Sequence, residues 1–127
     1  MQKILIADDD ARMRRMLKQI VAGLASAVCE AADGAEAIAL CAAERPDWVL
    51  MDLRMRPVDG LRATSEIKSH FPQTQVIIVS QYDDAGLRAK AARAGACGYV
   101  LKEDLVQLPT ILSEFDKRQT NQRHDNQ

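Results

Sequence analysis

The 127-residue chain lacks an excess of charge of either sign, because 17 lysines and arginines nearly balance 18 aspartates and glutamates, for a formal net charge of -1. Without a basic field, the chain has no general electrostatic attraction to nucleic acid. It also lacks any apolar stretch near the roughly 18 residues of a membrane-spanning helix, which excludes a membrane span. The first strand-like run begins close to Met1, so we expect no signal peptide.

Cysteines are few and fit no metal-binding spacing such as C-x-x-C. We interpret Cys29, Cys41 and Cys97 as reduced, small core residues of a cytoplasmic protein. Internal repeats are absent, and the length suits a single domain, which we place at residues 1–115. Residues 116–127 contain no aliphatic or aromatic side chain, and we predict that they form a disordered polar tail or a linker.

Short apolar runs alternate about five times with helical patterns, which is typical of βαβ units around a parallel sheet. Four of the runs end in residues with reactive or ionic side chains: Asp8-Asp9-Asp10, Asp52, Ser80 and Lys102. The carboxyl ends of neighbouring parallel strands share one edge of a sheet, where ligand sites form. The pattern therefore predicts a cluster of carboxylates, one hydroxyl and one ammonium at that edge.

The helical patterns carry signals for where each helix begins and ends. Asp9 or Asp10 could cap the first helix, and Pro109 suits the first turn of the last one. A fourth helix, over about residues 84–94, has mainly alanines on its apolar face. Small side chains bury little area, so we expect this helix to be the most loosely held.

The carboxylates at the predicted edge need a cation or a proton. Two carboxylates about 5 Å apart repel by roughly 3 kcal/mol at an effective dielectric constant near 20. A site made only of oxygen ligands suits Mg²⁺, which also takes phosphate oxygens. The alternative is that adjacent aspartates merely cap a helix, and for Asp10 alone we favour it.

The other residues at this edge also have two interpretations. Lys102 closes a buried strand and needs an anionic partner, which the carboxylates supply either for a ligand site or for a structural salt bridge. Ser80 is either a turn residue or a donor to a ligand, and Tyr99 by sequence alone is more often a core residue. A metal, a carboxylate, a hydroxyl and an ammonium can together bind a phosphoryl group, and attack by the carboxylate then forms an aspartyl phosphate.

The segments ILIADDD, VLMDLRM, VDGL, VIIVS and AGACGYVLK, in this order, resemble bacterial response-regulator receiver domains over roughly Gln2 to Phe115. The resemblance implies a flavodoxin-like (βα)5 fold, an α/β three-layer sandwich whose five-stranded parallel sheet has the order 2-1-3-4-5. It also implies phosphorelay signalling, in which a histidine kinase or histidine phosphotransferase donates a phosphoryl group to one aspartate. Such a chain catalyses only its own phosphorylation and dephosphorylation, so we expect no metabolic enzyme.

The resemblance also implies a role for each residue of the edge. Asp52 is the implied phosphoacceptor, and Lys102 is the implied contact of the phosphoryl oxygens. The implied holders of Mg²⁺ or Mn²⁺ are Asp9 as a direct ligand, Asp8 acting through water, Asp52 and the backbone carbonyl of Arg54. The implied switch residues are Ser80, whose hydroxyl bonds the phosphoryl group, and Tyr99, which then turns inward. Arg54 and Tyr82 occupy positions that tune reaction rates in the family.

The chain departs from the family pattern at two places. Arg56 stands where the family usually has proline, with Pro57 one place later. The usual spacing from Asp52 to Asp59-Gly60 is kept, which indicates a local rearrangement of the loop. Gln81 follows the switch serine where the family favours a small residue, and we expect it to narrow access to the site or to alter the output.

Two other classes of protein fit less well. A phosphatase of the haloacid dehalogenase kind has D-x-D-x-T after its first strand, and Asp8-Asp9-Asp10 is followed by no such threonine. A flavin mononucleotide-binding module needs a serine- or glycine-rich phosphate loop after the first strand, and that loop is absent from the sequence.

The output of a receiver stays open between two forms. GYVLKED and SQYDD are similar to receivers that precede a LuxR-type helix-turn-helix domain, as in LuxR/NarL-type transcription regulators. The chain is then either the receiver part of a longer regulator, with residues 116–127 as linker, or a stand-alone receiver that acts by protein contact. Either form implies switching of the face built by the fourth helix, the fifth strand and the last helix. We expect a homodimer on phosphorylation, a cytoplasmic location and no specific DNA binding by this chain alone.

Overall fold

Strands and helices alternate along residues 2–115, the part of the chain that the computed structural model describes. The strands are β1 (Gln2–Ala7), β2 (Ala25–Ala31), β3 (Trp48–Asp52), β4 (Gln75–Ser80) and β5 (Gly98–Leu101). The helices are α1 (Ala11–Val21), α2 (Gly34–Glu44), α3 (Gly60–His70), α4 (Ala85–Ala94) and α5 (108–115), with a 3₁₀ segment, Lys102–Gln107, before α5. The predicted tail, 116–127, lies outside the described residues.

The five strands form one parallel sheet in the order β2-β1-β3-β4-β5, which confirms the predicted topology. Its register aligns the carboxyl ends of the strands. Asp52 pairs with Val79, and the next residue of β4, Ser80, pairs with Leu101. The residues that follow the apolar runs therefore meet at one edge of the sheet, as predicted.

Successive residues of a strand point to opposite faces of the sheet, and each face is covered by its own helices. On one face, α2, α3 and α4 pack on buried residues of the strands: Leu5, Ala7, Val49, Met51, Val76 and Ile78. On the other face, α1 and α5 pack on the alternate residues: Ile4, Ile6, Trp48, Leu50, Ile77, Val79 and Val100. The result is the predicted three-layer sandwich with two apolar cores.

Each of the first four helices begins after an aspartate whose carboxylate accepts a hydrogen bond from a backbone N–H of the first turn. These aspartates are Asp10, Asp33, Asp59 and Asp84. Such a side chain satisfies a backbone donor that the helix cannot. Asp10, not Asp9, caps α1 through the Arg12 N–H at 2.9 Å. The cap occupies Asp10 and leaves Asp8 and Asp9 for another purpose.

Three details differ from or refine the sequence predictions. The 3₁₀ segment before α5 was not predicted. Cys97 is exposed rather than in the core, because it lies in the turn between α4 and β5, whereas Cys41 is buried. The apolar face of α4 is small, since Ala91 is its buried residue and Leu87 is partly buried, and the expectation that this helix is the most loosely held stays a prediction. Between residues 2 and 115, no helix is long and apolar enough to cross a membrane.

Candidate functional site

Three carboxylates converge at the carboxyl edge of the sheet. Asp8 follows β1 and is 1% exposed, while Asp52 ends β3 and is 7% exposed. Asp9 is exposed to solvent beside them. One oxygen from each of the three lies within 4.8 Å of the others. The structure thus brings together the three aspartates that the sequence pattern singled out.

The ammonium of Lys102 bridges the two buried carboxylates. Its Nζ atom lies 3.1 Å from Oδ2 of Asp8 and 3.3 Å from Oδ1 of Asp52. The lysine side chain is 18% exposed, so it holds its charge in a partly desolvated place, where it needs these anions. The predicted anionic partner of Lys102 is therefore the carboxylate cluster itself.

Burial and mutual repulsion make this cluster costly to ionise. Burial raises the pKa of Asp8 above its ordinary value. Burial, and then repulsion from Asp8, raises the pKa of Asp52 to about 6, although Lys102 acts in the opposite direction. Burial lowers the pKa of Lys102, but attraction by Asp52 and Asp8 outweighs it and leaves the pKa raised. A single ammonium therefore does not neutralise the site, and a second cation would stabilise it.

The oxygen atoms that could coordinate a metal at this cluster fit a hard divalent cation. All the side-chain donors are carboxylate oxygens, which Mg²⁺ and Mn²⁺ prefer. The Oδ2 atom of Asp8 is buried and accepts no hydrogen bond of good geometry within residues 2–115, although it lies beside Lys102. An oxygen of this kind has capacity left for a metal. Asp8, Asp9 and Asp52 would hold the ion, with its remaining positions left to water, phosphate oxygens or a backbone carbonyl.

A cavity of about 240 Å³ opens over the carboxylates. Its lining consists of Asp8, Asp9, Asp10, Asp52, Arg54, Gln81, Tyr82 and Lys102. The guanidinium of Arg54 lies 4.3 Å from the centroid of the Tyr82 ring, and the Gln81 amide donates to the Tyr82 hydroxyl at 2.9 Å. These three side chains form one connected wall of the cavity. Gln81 therefore lines the cavity over Asp52, and its expected effect on access or output stays a prediction.

Ser80 and Tyr99 belong to a second layer, behind that wall. Ser80 is 1% exposed, and its hydroxyl oxygen accepts the Tyr82 N–H at 3.0 Å. The Tyr99 hydroxyl donates to the Tyr82 carbonyl at 2.6 Å. Because a hydroxyl can also donate, Ser80 has a hydrogen to offer to a ligand on Asp52. Both switch candidates are thus tied to the backbone of Tyr82, while neither lines the cavity.

The loop from β3 to α3, which carries Arg54 and Arg56, is held by two glycines. Gly60 donates its N–H to the Leu53 carbonyl at 2.9 Å, and Gly34 donates to the Val58 carbonyl at 3.1 Å. A Cβ atom on either glycine would overlap a backbone carbonyl group. The Arg56–Pro57 peptide bond is cis, and Asp59 still caps α3. The Asp59 cap shows that α3 begins where the spacing from Asp52 predicts, while a local rearrangement of the loop stays a prediction. Metal binding by the Arg54 carbonyl stays a prediction.

One residue beside the site was not singled out by the sequence pattern. Arg14 is one of several basic residues of α1, but its side chain is only 19% exposed. Its Nη1 atom donates to the backbone carbonyl of Asp8 at 2.7 Å. No sequence signal separates Arg14 from Arg12 or Arg15, because all three are arginines in the same helix.

The chain belongs to the response regulator receiver domain family, whose model matches residues 4–113. It is 40% identical over 111 residues to the regulatory protein AtoC of Escherichia coli strain K12, which covers 87% of this chain and 24% of AtoC. It is 42% identical over 103 residues to the oxygen regulatory protein NreC of Staphylococcus haemolyticus, which covers 79% of this chain and 48% of NreC. The chain thus spans less than half the length of these two relatives.

Solved structures show the same architecture. A LuxR-family two-component response regulator from Aurantimonas sp. SI85-9A1 superposes with a TM-score of 0.82 at 28% identity, over 90% of this chain and 84% of that one. A CheY-like receiver domain protein from Methanospirillum hungatei gives 0.87 at 24% identity, over 96% and 98%, and at that identity it speaks for the fold alone. The receiver resemblance stated from the sequence is confirmed, and the phosphatase and flavin-binding alternatives are set aside.

Proposed function

We propose that Asp52 accepts a phosphoryl group from a histidine kinase or a histidine phosphotransferase, in a reaction that depends on Mg²⁺ or Mn²⁺. The observation that carries the proposal is the cluster at the carboxyl edge of the sheet. Oxygens of Asp8, Asp9 and Asp52 lie within 4.8 Å of one another, with the Lys102 ammonium 3.3 Å from Asp52. Nucleophile, cation ligands and an anion-binding ammonium are thus together.

The transfer needs an ionised Asp52. A carboxylate oxygen attacks the phosphorus, the new O–P bond forms, and the P–N bond of the donor breaks with its electron pair leaving on the imidazole nitrogen. Lys102 lies within ion-pair distance of Asp52. Its ammonium can therefore contact an equatorial oxygen of the transferred phosphoryl group and neutralise its charge. A bound divalent cation would supply further charge neutralisation for the same oxygens. We propose that the chain thereby catalyses its own phosphorylation and dephosphorylation.

Phosphorylation adds close to two negative charges at Asp52, and we propose that Ser80 responds to them. The Ser80 hydroxyl can donate to the new phosphoryl oxygens while its oxygen accepts the Tyr82 N–H at 3.0 Å, and rotation of the Ser80 side chain toward the phosphoryl group would lengthen the bond with Tyr82. Tyr82 in turn accepts the Tyr99 hydroxyl, so the change reaches β5. We propose that the face formed by α4, β5 and α5 changes its affinity for a partner in this way.

The phosphodonor has a suitable surface beside the cluster. Met16 on α1 is 49% exposed and Val106 in the 3₁₀ segment is 84% exposed, and these two elements pack against each other. Arg12 and Arg15 are exposed on the same helix, which contains no acidic residue. Exposed apolar and basic residues on neighbouring elements suit a partner whose surface is apolar and acidic. We propose that this surface receives the kinase or phosphotransferase.

The output depends on what accompanies the receiver. We propose that it is the receiver part of a longer cytoplasmic transcription regulator, with residues 116–127 as the polar linker to a LuxR-type DNA-binding domain. Support comes from the length of the relatives and from a solved neighbour described as a DNA-binding response regulator of the LuxR family from Staphylococcus aureus, which is 25% identical with a TM-score of 0.82. A stand-alone receiver that acts through protein contact, or as a homodimer on phosphorylation, is the alternative. The length of the complete coding sequence decides between them.

Labelling with acetyl phosphate tests the proposal directly. We expect intact-mass analysis to show one added phosphoryl group in the presence of Mg²⁺ and none in EDTA. The label should be absent from Asp52→Asn and present in Asp47→Asn, which removes a carboxylate at the opposite end of β3. Undiminished labelling of Asp52→Asn would refute the assignment of Asp52.

A further inference from the structure

Asp8 is fixed at three atoms besides the oxygen that faces the cluster. Its N–H donates to the Ala31 carbonyl at 3.0 Å, and its Oδ1 accepts the Asp10 N–H at 2.8 Å. Its own carbonyl accepts the guanidinium of Arg14 at 2.7 Å. These contacts set both the backbone and the torsion of the side chain. They direct Oδ2 toward Lys102 and the other carboxylates.

The guanidinium of Arg14 is itself held in place from β2. Its Nε atom lies 3.1 Å from Oε1 of Glu30, and Lys18 lies 3.8 Å from the other carboxylate oxygen of Glu30. Arg14 thus joins α1, the end of β1 and β2 through one planar group. Arginine suits this task because its donors form a rigid fork that can serve two acceptors at once.

We propose that Arg14, anchored by Glu30, is a positioning residue of the metal site and acts by orienting Asp8. The inference rests on the proposed function only in taking Asp8, Asp9 and Asp52 as ligands of a divalent cation. Mg²⁺ and Mn²⁺ require well-placed oxygens, and Mg²⁺ demands near-ideal octahedral geometry. Groups that orient metal ligands typically change metal affinity by about 10- to 100-fold when they are removed.

Charge alone predicts the opposite effect of removing Arg14. A guanidinium near the cluster repels an incoming cation, so its loss would tighten metal binding if electrostatics were all that mattered. Positioning predicts weaker binding. Arg15 is an ideal reference, since it is the next residue of the same helix, carries the same charge and is exposed. The sign of the effect therefore separates the two explanations.

The experiment is a titration of the full chain with Mn²⁺, in which electron paramagnetic resonance measures the free ion, so that no phosphoryl transfer is involved. We expect Arg14→Ala to weaken Mn²⁺ binding about tenfold and Arg15→Ala to leave it unchanged or slightly tighter. Arg14→Lys should fall between, because an ammonium cannot span the Asp8 carbonyl and Glu30 as the fork does. Glu30→Ala should also weaken binding, and the double variant should lose less than the sum of both effects.

Thermal unfolding in EDTA accompanies each titration, so that binding is compared only among folded proteins. Equal Mn²⁺ affinity in Arg14→Ala and Arg15→Ala would overturn the inference and leave the metal site intact. A parent chain that binds no Mn²⁺ would remove the metal site and the inference together. If the Mn²⁺ affinities follow the expected order but Asp52 is not labelled by acetyl phosphate, the assignment of Asp52 as phosphoacceptor is rejected. The role of Arg14 in metal binding then stands.

Discussion

The hydroxyl of Tyr99 donates a hydrogen bond to the backbone carbonyl of Tyr82 at 2.6 Å. The bond joins β5 to the loop between β4 and α4. The same ring lies under the guanidinium of Arg88, 4.6 Å from its centroid, and Arg88 pairs with Asp83 at 3.1 Å. α4 itself has little other anchorage, since Ala91 is its buried residue. The tyrosine therefore links β5 both to the loop before α4 and to Arg88 on that helix.

Removing this hydroxyl should loosen α4. In Tyr99→Phe, the amides of α4 are expected to exchange about fivefold faster with deuterated solvent, because a hydrogen bond contributes on the order of 1 kcal/mol. Mass spectrometry of peptides from α4 measures the rate, and peptides from α2 serve as an internal control. Unchanged exchange in α4, or faster exchange throughout the chain, would contradict this role.

Arg54→Ala should shorten the lifetime of phosphorylated Asp52 several-fold. The side chain of Arg54 stacks on Tyr82 in the wall of the cavity above Asp52. Its removal opens that wall and admits water to the phosphoryl group. The substitution keeps the backbone carbonyl, so the predicted metal ligand is unaffected. The measurement is the decay of the labelled protein after removal of acetyl phosphate.

Arg56→Ala is the matched control for this effect. It removes the same charge from the same loop, but Arg56 does not line the cavity over Asp52. We expect its decay rate to stay within about twofold of the parent. Equal decay of Arg54→Ala and the parent would show that the wall does not limit hydrolysis.

Removal of metal should make Asp52 a destabilising residue. Burial and repulsion by Asp8 raise the pKa of Asp52 to about 6, so the folded state disfavours its ionised form relative to the unfolded chain. In EDTA at pH about 8, Asp52→Asn should therefore raise the free energy of unfolding by on the order of 1 to 3 kcal/mol. Urea unfolding measures the difference.

Excess Mg²⁺ should shrink this gain, because the cation stabilises the parent more than the variant. Glu103→Gln changes the same charge at an exposed position and is expected to stay within about 0.5 kcal/mol of the parent. A loss of stability in Asp52→Asn without metal would mean that the Lys102 ion pair outweighs burial.

Gly60→Ala should lower the free energy of unfolding by about 1 to 3 kcal/mol or more, the range typical of substitutions that overpack a protein interior. A Cβ atom there would overlap the backbone carbonyl of Asp52, so the loop from β3 to α3 must shift. Gly23→Ala provides the control, since nothing lies within 4 Å of its new Cβ. We expect it to be neutral or slightly stabilising. Similar midpoints of thermal unfolding for both variants would refute the steric argument.

The sequence predicts the parallel sheet and the carboxylate cluster because both depend on strong local patterns, whereas the strand order was implied by the resemblance to receiver domains. Apolar runs mark the strands, and the charged residues that follow them must meet once the strands are parallel. Asp10 shows that the sequence pattern can also separate the roles of adjacent aspartates. Its place directly before α1 favours a cap over a ligand, and the structure shows the cap.

Other features depend on contacts between distant segments, and no local pattern signals them. Arg14 reaches the Asp8 carbonyl and Glu30 only because β2 lies beside β1. The stacking of Arg54 on Tyr82 requires two separate loops to approach each other. Cys97 was expected in the core because cysteine is usually buried, but it lies in a turn and is exposed.

Trp48, the single tryptophan, begins the strand that Asp52 ends. At about 3.3 Å per residue, the two lie roughly 13 Å apart along β3. The indole is 2% exposed and packs edge-on against Phe115, with ring centroids 5.0 Å apart. Its intrinsic fluorescence should therefore follow disruption of the core and remain nearly silent to ions or phosphoryl groups at Asp52. The chain thus carries a built-in optical reporter of unfolding that is separate from occupancy of its site.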